Sequence, residues 1–303
     1  NGRRTSSPDR SSPLQICSRD PSELGLDLGM LAPFASALGP LAVVDLETTG
    51  LASDSRAEIL ELGAVLIDPG SLMVNTIGCL VRPARSLPLP IRRLTGLTDV
   101  DVASAPGIAE VAGLFGEALA GRTLIAHNAS FERRFLSRFI SSSLGEATYL
   151  DTQDVLALTH PDAPDLRLES FTRRLLGTEE HHRALDDALD TARVLAHLAS
   201  GAHKGEQRYI TARRALDRYA PESPWVSLLG KELIFEGDVP VPAFISIPSG
   251  EKQPVPFDED SIASALADAE RGARYFPGYR VREEQIELAR NFVRNFEEGG
   301  AML

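Results

Sequence analysis

The sequence predicts an α/β protein in which a mixed sheet is flanked by helices and followed by a helical and irregular C-terminal extension. Three apolar runs of strand length come first, at residues 41–46, 58–68 and 72–81. Short strands then alternate with helices as far as residue 198, and the composition changes beyond Gly201. Strands followed by such an alternation favour a mixed sheet with helices on its faces. A chain of 303 residues, 43% of them hydrophobic, can bury a sizeable core.

The first half of the chain predicts an antiparallel meander. Residues 68–70, Asp-Pro-Gly, form a turn signal between the second and third runs. The proline-containing stretch 83–90 is expected to be irregular. Apolar periodicity predicts a helix over residues 108–119, which Gly121 ends as a C-terminal cap.

The second half predicts two more strands and four helices, so the predicted sheet has five strands. Residues 123–126 and 149–150 are expected as the fourth and fifth strands. Helices are predicted from residue 130 onward and over residues 153–158, 168–176 and 184–198. The first and last of these helices carry a clear apolar stripe.

Composition divides the chain into four parts. Residues 1–22 are rich in Ser, Arg and Pro and are predicted to be disordered. Residues 23–200 are expected to form one domain, residues 201–257 a connector, and residues 258–303 the start of a second, helical domain. Because the chain begins with Asn and ends in the apolar triplet 301–303, we expect a fragment or a processed chain.

Charge and cysteine content narrow the class of protein. A net charge of −12 argues against broad clamping of nucleic acid by a basic surface, but not against an enzyme that holds one strand end through metal ions. Cys17 and Cys79 form no CxxC pair, so neither a disulfide framework nor a zinc site is indicated. No apolar run approaches the roughly 20 residues of a membrane span, and no signal peptide is visible. We expect a cytoplasmic protein without a membrane partner.

The end of the first predicted strand carries two acids, Asp45 and Glu47. Residues two apart on a strand point to the same side, so these carboxylates project together. Two carboxylates that close repel each other unless a cation lies between them. A hard divalent ion such as Mg²⁺ or Mn²⁺ is the natural occupant. The alternative interpretation is an acidic turn after a core strand.

Two later stretches strengthen the metal interpretation. In residues 126–136 a strand end is followed by a helix that carries Glu132, and in residues 182–188 His182 is followed five positions later by Asp187. Together with residues 43–50, these stretches resemble in order the three motifs of the DEDDh family of 3′→5′ exonucleases. The resemblance covers roughly residues 40 to 200.

The resemblance implies a ribonuclease H-like fold with a five-stranded sheet and two bound Mg²⁺ or Mn²⁺ ions. It implies release of nucleoside 5′-monophosphates from the 3′ end of single-stranded DNA or RNA. Asp45, Glu47, Glu132 and Asp187 match the metal ligands of the family. His182 matches the histidine that takes the proton from the attacking water, a role that suits an unperturbed pKa of about 6.5. Because five helical residues turn about 140° beyond one full turn, His182 is expected on a loop before the helix that carries the aspartate.

The third motif can be aligned in two ways. His181 lies five residues before Asp186, so a slip by one residue gives a second His/Asp pair. His182 and Asp187 are preferred because Ala184 then falls where the family has an alanine.

The second motif departs from the family, which usually has Asp where this chain has Glu132. One extra methylene moves the carboxylate by roughly 1 Å or more. Glu132 is therefore expected to bind metal directly, through water, or poorly. The alternative is an exposed helix acid that pairs with Arg133 or with an arginine one turn away.

Three residues match positions that contact or brace the substrate in the family. Thr48 matches a residue that touches the 3′-terminal nucleotide, Leu97 an apolar residue that packs on the terminal base, and Asn128 a residue that braces the site. Each could equally serve in a turn or in the core.

The C-terminal stretch 275–285 resembles the entry to the helicase part of DinG-type proteins, which are related to XPD-like helicases. Arg282 and Gln285 match an Arg-x-x-Gln element that reads adenine there. The phosphate-binding loop G-x-x-x-x-G-K-[ST] is absent from these 303 residues. The chain is interpreted as the exonuclease part of an exonuclease–helicase of DNA repair, with a helicase domain in the same parent chain.

Two other functions are kept open. A non-catalytic nucleic-acid-binding domain that positions a helicase is favoured by Glu132 and by the acidic net charge. A proofreading subunit of a polymerase is the third hypothesis, and the long C-terminal extension counts against it.

Overall fold

The computed structural model describes residues 14–51, 53–179, 182–230, 258–276 and 278–298. The chain divides into two compact units, residues 1–238 and residues 239–303. In the described part of the chain, no helix has both the length and the apolar character needed to cross a membrane.

The first unit is built on one mixed sheet, which confirms the predicted α/β class. Its strands are β1 (Ile16–Arg19), β2 (Leu41–Thr48), β3 (Ile59–Ile67), β4 (Val74–Leu80), β5 (Thr123–Ala126) and β6 (Tyr149–Asp151). The order across the sheet is β1-β4-β3-β2-β5-β6. The predicted meander is confirmed, because β2, β3 and β4 pair antiparallel, whereas β5 and β6 continue the sheet in parallel with β2.

Helices cover both faces of the sheet. Those of the first unit are α1 (Leu28–Leu38), α2 (Leu89–Thr95), α3 (Asp99–Ala103), α4 (Ile108–Leu119), α5 (Ala129–Phe139), α6 (Thr152–Thr159), α7 (Leu168–Phe171), α8 (Ala184–His203), α9 (Gln207–Tyr219) and α10 (Trp225–Leu228). A π-helical turn, Thr172–Leu176, extends α7. Along β2, Val43 faces the core that includes α1 and α8, whereas Val44 faces the core that includes α4 and α5. All nine residues of β3 are buried, as expected for a strand covered on both sides.

The prediction of five strands is wrong by one strand, and the prediction of disorder over residues 1–22 is wrong for its last part. Residues 16–19 form β1, which pairs antiparallel with β4 at the edge of the sheet. A 3₁₀ turn follows at Pro21–Leu24. Ile16 is 51% exposed, so this edge strand depends on backbone hydrogen bonds and leaves no hydrophobic pattern in the sequence. Residues 1–13 lie outside the described residues.

The predicted connector, residues 201–257, is wrong over residues 201–229, because these residues belong to the first unit. Tyr209 of α9 is 1% exposed, and Trp225 of α10 is 5% exposed and stacks on Phe34 of α1 with ring centroids 5.7 Å apart. These apolar residues complete the core beside α8 rather than linking two domains. Residues 231–257 lie outside the described residues.

The stretch 83–90, predicted to be irregular, is irregular only as far as Pro88, since α2 begins at Leu89. Pro90 lies in the first turn of that helix, where the missing N–H has no intrahelical acceptor to lose.

The second unit contains α11 (Glu259–Ala267), α12 (Ala269–Tyr275) and α13 (Glu283–Glu298). Helices α11 and α12 are separated at Asp268, whose side chain caps α12 by accepting from the amide of Arg271 at 2.9 Å. An ion pair between Arg294 and Glu259, 3.0 Å long, joins α13 to α11.

Candidate metal centre and active site

Strand β2 presents the first pair of acids at its carboxyl end. Asp45 is half-buried and Glu47 is 9% exposed. Both follow Val43 at intervals of two, so both project toward the face that α8 covers. The pairing with β3 shifts register between Glu47 and Thr48, which ends the regular ladder at the site.

Helix α8 brings the third acid to the same place. Asp187 is 2% exposed, and one carboxylate oxygen from each of Asp45, Glu47 and Asp187 lies within 4.8 Å of the others. Asp187 therefore lies beside the two acids of β2, whereas the neighbouring Asp186 is exposed. Carboxylate oxygens alone form this donor set, which suits a hard divalent cation and opposes a softer metal such as zinc.

The approach of α8 to the sheet depends on Gly63. Gly63 lies opposite Asp45 in the β2–β3 register, and a Cβ atom there would lie 2.1 Å from the carbonyl carbon and oxygen of Ala184. Only glycine leaves room for the first turn of α8, and that turn carries Asp187. The sequence signal for this residue is a glycine inside an otherwise apolar strand.

Glu132 lies on α5 and is 3% exposed, so the alternative of an exposed, arginine-paired acid is wrong. Burial, and next the charge of Asp45, raise the pKa of Glu132 well above its ordinary value. Its Oε2 atom is buried and makes no hydrogen bond to any described residue. Glu132 is outside the group of three acids whose oxygens lie within 4.8 Å. A buried carboxylate beside another acid, with one oxygen unsatisfied, fits a site completed by a cation.

His182 precedes α8, as the sequence predicted, and is partly exposed. Its backbone has a φ of +49°, in the left-handed region that non-glycine residues seldom adopt. His181, the member of the alternative pair, lies outside the described residues.

The predicted substrate contacts have mixed surroundings. Thr48 is 7% exposed, and its hydroxyl donates to the carbonyl of Gly50 at 2.8 Å. Leu97 is 5% exposed and belongs to a small apolar cluster with Leu60. Asn128 is exposed, has a φ of +69°, and forms the N-cap of α5. Leu97 thus has the environment of a core residue, whereas Asn128 lies at the start of the helix that carries an acid.

Asp151 holds the start of α5, and sequence reasoning saw only part of its role. It caps α6 by accepting from the amide of Gln153 at 3.0 Å, a role that an aspartate directly before a helix indicates. It also accepts from the amides of Asn128 at 3.0 Å and Ala129 at 2.9 Å. These bonds fix the first turn of α5, and through it the position of Glu132. No local pattern reveals them, because the partners come from a different strand–helix unit.

Two other histidines, His127 and His160, hydrogen-bond or pack within the fold. The Nδ1 atom of His127 lies 2.8 Å from the hydroxyl of Thr152, and its Nε2 atom 2.6 Å from the carbonyl of Leu166. His160 is 2% exposed and lies edge-on to Phe171, with ring centroids 5.5 Å apart.

A family profile described as exonuclease (RNase_T) matches residues 42–195, slightly more than half of the chain. The PolC-type DNA polymerase III of Thermotoga petrophila is 38% identical over 156 residues, which cover 50% of this chain and 11% of that protein. A Mycobacterium tuberculosis protein named as a bifunctional exonuclease/endonuclease is 35% identical over 258 residues, covering 81% of this chain and 38% of that protein. The chain therefore spans about a tenth of the polymerase it matches and well under half of the mycobacterial protein.

Solved structures give a weaker likeness. Exonuclease X in complex with 5′-overhanging duplex DNA is 26% identical, covers 52% of this chain and 89% of its own, and has a TM-score of 0.42. The nuclease domain of 3′hExo, a DEDDh family member bound to rAMP, is 20% identical, covers 55% of this chain and 94% of its own, and has a TM-score of 0.44.

Proposed function

This chain belongs to the exonuclease family that matches residues 42–195, and we propose that it is a metal-dependent 3′→5′ exonuclease. The proposed reaction is stepwise hydrolysis of the last phosphodiester bond of a single strand, with release of a nucleoside 5′-monophosphate. The observation that supports it most strongly is the group formed by Asp45, Glu47 and Asp187, whose oxygens lie within 4.8 Å of one another.

The residues present fit two divalent cations, Mg²⁺ or Mn²⁺. Asp45, Glu47 and Asp187 would hold metal directly, and the unsatisfied Oε2 of Glu132 supports a role for this fourth acid, either direct or through water. Bound divalent ions supply charge neutralisation at the phosphate and lower the pKa of a bound water. Without such cations, four acids in and around one largely buried site would repel one another.

The chain's own residues supply the remaining parts of the proposal. His182 accepts the proton of the attacking water, because histidine is the side chain that most often serves as a general base near neutral pH. Its position just before α8 keeps it close in sequence to Asp187 while leaving it partly open to solvent. Thr48 and Asn128 contact or brace the terminal nucleotide at the carboxyl ends of β2 and β5. Leu97 is the weakest of the substrate assignments because it is 5% exposed.

The decisive experiment is digestion of a 5′-labelled single strand, DNA and RNA in parallel, with Mn²⁺ or Mg²⁺. The wild type should give a ladder that shortens from the 3′ end. Asp187→Asn should lower the rate by about 100-fold or more, as expected when a group that stabilises transition-state charge is lost. Asp186→Asn is the matched control, because it changes the neighbouring exposed acid of the same helix turn and should keep the wild-type rate. Intact 3′ ends with the wild type under every metal condition would refute the proposal.

The same experiment separates the exonuclease from a non-catalytic binding domain. Glu132 in place of the family's aspartate is the observation that favours the second function. That function requires tight binding of the strand with no turnover, and binding that survives Asp45→Ala.

A second enzyme unit in the parent chain is part of the proposal, and two kinds are supported by different observations. Arg282 and Gln285, at the start of α13, support a DinG-type helicase acting with the exonuclease in DNA repair. The mycobacterial relative aligns over 81% of this chain, farther than the exonuclease segment, and its name supports an endonuclease instead. Sequencing the coding region downstream of Leu303 distinguishes them, because a helicase needs a phosphate-binding loop there.

A further inference from the structure

Glu61 and Arg183 form a bidentate ion pair beside the carboxylate site. The guanidinium Nε of Arg183 donates to Oε2 of Glu61 at 2.9 Å, and an Nη atom donates to Oε1 at 2.8 Å. The side chain of Glu61 is 4% exposed and that of Arg183 is 41% exposed. Parallel charge-assisted bonds of this kind fix both orientation and distance, so the pair is a rigid link between β3 and the start of α8.

The link also attaches to the backbone of the residue that follows Arg183. The amide of Ala184, the first residue of α8, donates to Oε2 of Glu61 at 3.4 Å. A carboxylate at a helix N-terminus is stabilised by the unpaired amides there. On the other side, His182 is held at a φ of +49°, a conformation that the surrounding structure must impose. The pair therefore fixes the residue that directly follows the histidine.

The pair is tied to the metal-binding strand as well. Glu61 lies opposite Glu47 in the β2–β3 register. The hydrogen bonds from Arg183 to Glu61, with a smaller contribution from the charge of Glu47, raise the pKa of Arg183. An acid that buries its charge in a strand needs such a partner, because an uncompensated buried carboxylate is strongly destabilising. Glu61 is the one charged residue of β3. The free-energy cost of burying its carboxylate is accounted for if Glu61 positions a neighbouring residue of the site.

We propose that the Glu61–Arg183 pair is a positioning element that fixes His182 for proton transfer at the start of α8. This inference rests on the exonuclease function proposed above. Neither residue is assigned contact with substrate or metal, so both act through the histidine. The geometry gives a clear expectation: breaking the pair lowers kcat and leaves substrate binding and metal affinity close to their wild-type values.

A double-mutant cycle tests the proposal. Glu61→Gln alone should lower kcat by about 10- to 100-fold, the effect of a displacement near 1 Å, with KM and the affinity for Mn²⁺ nearly unchanged. In a His182→Ala background the same substitution should have no further effect, because the residue it positions is gone. Arg183→Lys should keep more activity than Arg183→Met, because lysine retains the positive charge. It should keep less than the wild type, because lysine cannot form the bidentate pair. Losses that multiply in the double variant would overturn the proposal.

The matched control is a second ion pair on the same helix, between Arg193 and buried Asp190, 2.6 Å long. Arg193→Gln breaks this pair, whose members lie eight and eleven residues after His182, and should leave kcat unchanged while lowering stability. A loss of kcat as large as that of Glu61→Gln would show that any buried pair on α8 matters equally, and would overturn the specific role.

A second readout does not depend on nuclease activity. Amide exchange at Ala184, measured by NMR or by mass spectrometry of overlapping peptides, should speed up in Glu61→Gln and not in Arg193→Gln. Unchanged exchange would overturn the proposal even if activity fell. If the wild type cleaves no strand, the proposed function fails, and the exchange rates still decide whether the pair holds this segment.

Discussion

Replacing Gly63 with alanine should separate Asp187 from Asp45 without touching any predicted ligand. The added Cβ would lie 2.1 Å from the carbonyl carbon and oxygen of Ala184 and 2.5 Å from the amide nitrogen of Leu185. Carbon atoms pack at about 3.5 Å or more, so the first turn of α8 must retreat by roughly 1.4 Å. The obstacle is backbone on both sides, which no rotamer change can relieve.

The expected magnitude follows from that displacement. Overpacking of this kind costs about 1–3 kcal/mol of stability, whereas a shift near 1 Å in a reacting group costs about 100-fold in rate. Gly63→Ala should therefore lose far more activity than stability. The assay is the rate of shortening of a 5′-labelled strand at several Mn²⁺ concentrations, together with thermal unfolding of the same preparation. Higher Mn²⁺ should restore only part of the rate, because the three oxygens no longer share one site.

Gly78 provides the matched control, since it pairs with Gly63 across β3 and β4. A Cβ atom at Gly78 would lie 3.1 Å from Cδ2 of Leu185, the end of a flexible side chain that can rotate away. Gly78→Ala should keep near wild-type activity. The reasoning would be refuted by a folded Gly63→Ala protein with wild-type rate and Mn²⁺ dependence, or by equal losses in the two variants.

Three further outcomes are expected. Glu132→Gln should raise the Tm of the metal-free protein at neutral pH, because it removes a buried carboxyl group whose pKa is raised. It should also reduce the gain in Tm on adding Mn²⁺, and an unchanged gain would contradict a role of Glu132 at the metal. Trp225→Ala should lower the free energy of unfolding, measured by chemical denaturation, by about 3–5 kcal/mol, since Trp225 stacks on Phe34. A change near zero would show that α10 does not contribute to the core. Burial lowers the pKa of His160 to about 4. The free energy of unfolding should therefore be highest above pH 6.5 and fall by up to about 3 kcal/mol as the pH drops toward 4. His160→Gln should flatten that pH dependence, and the control His203→Gln, at an exposed histidine, should leave it unchanged.

The sequence predicted the parts of the site that are local. Asp45 and Glu47 are two residues apart on one strand, so their common direction follows from strand geometry alone, and the structure confirms it. The position of His182 before α8 follows equally from helical periodicity. The catalytic and binding roles of these residues stay predictions.

The parts that could not be predicted depend on contacts between distant segments. Asp151 caps its own helix, which a local pattern reveals, but its bonds to the start of α5 require knowing that β5 and β6 are neighbours. In the sequence, Glu61 is a single acid in an apolar strand, and only the structure shows that Arg183 is its ion-pair partner. The proline and glycine around Trp225 predict a connector, whereas its burial against α1 depends on the whole fold.

The sheet topology explains why acids so far apart in the chain converge. β2 has an antiparallel neighbour on one side and a parallel neighbour, β5, on the other, so its carboxyl end lies at a change of strand direction. Ligands of open α/β sheets bind at such points, beyond the carboxyl ends of the strands. There β5 leads directly into α5 with Glu132, and α8 approaches the face that carries Asp45 where Gly63 admits it. A substitution that slides either helix by an ångström thus alters the site as surely as one that removes an acid, which is why the packing variants test the proposed mechanism as directly as the ligand variants do.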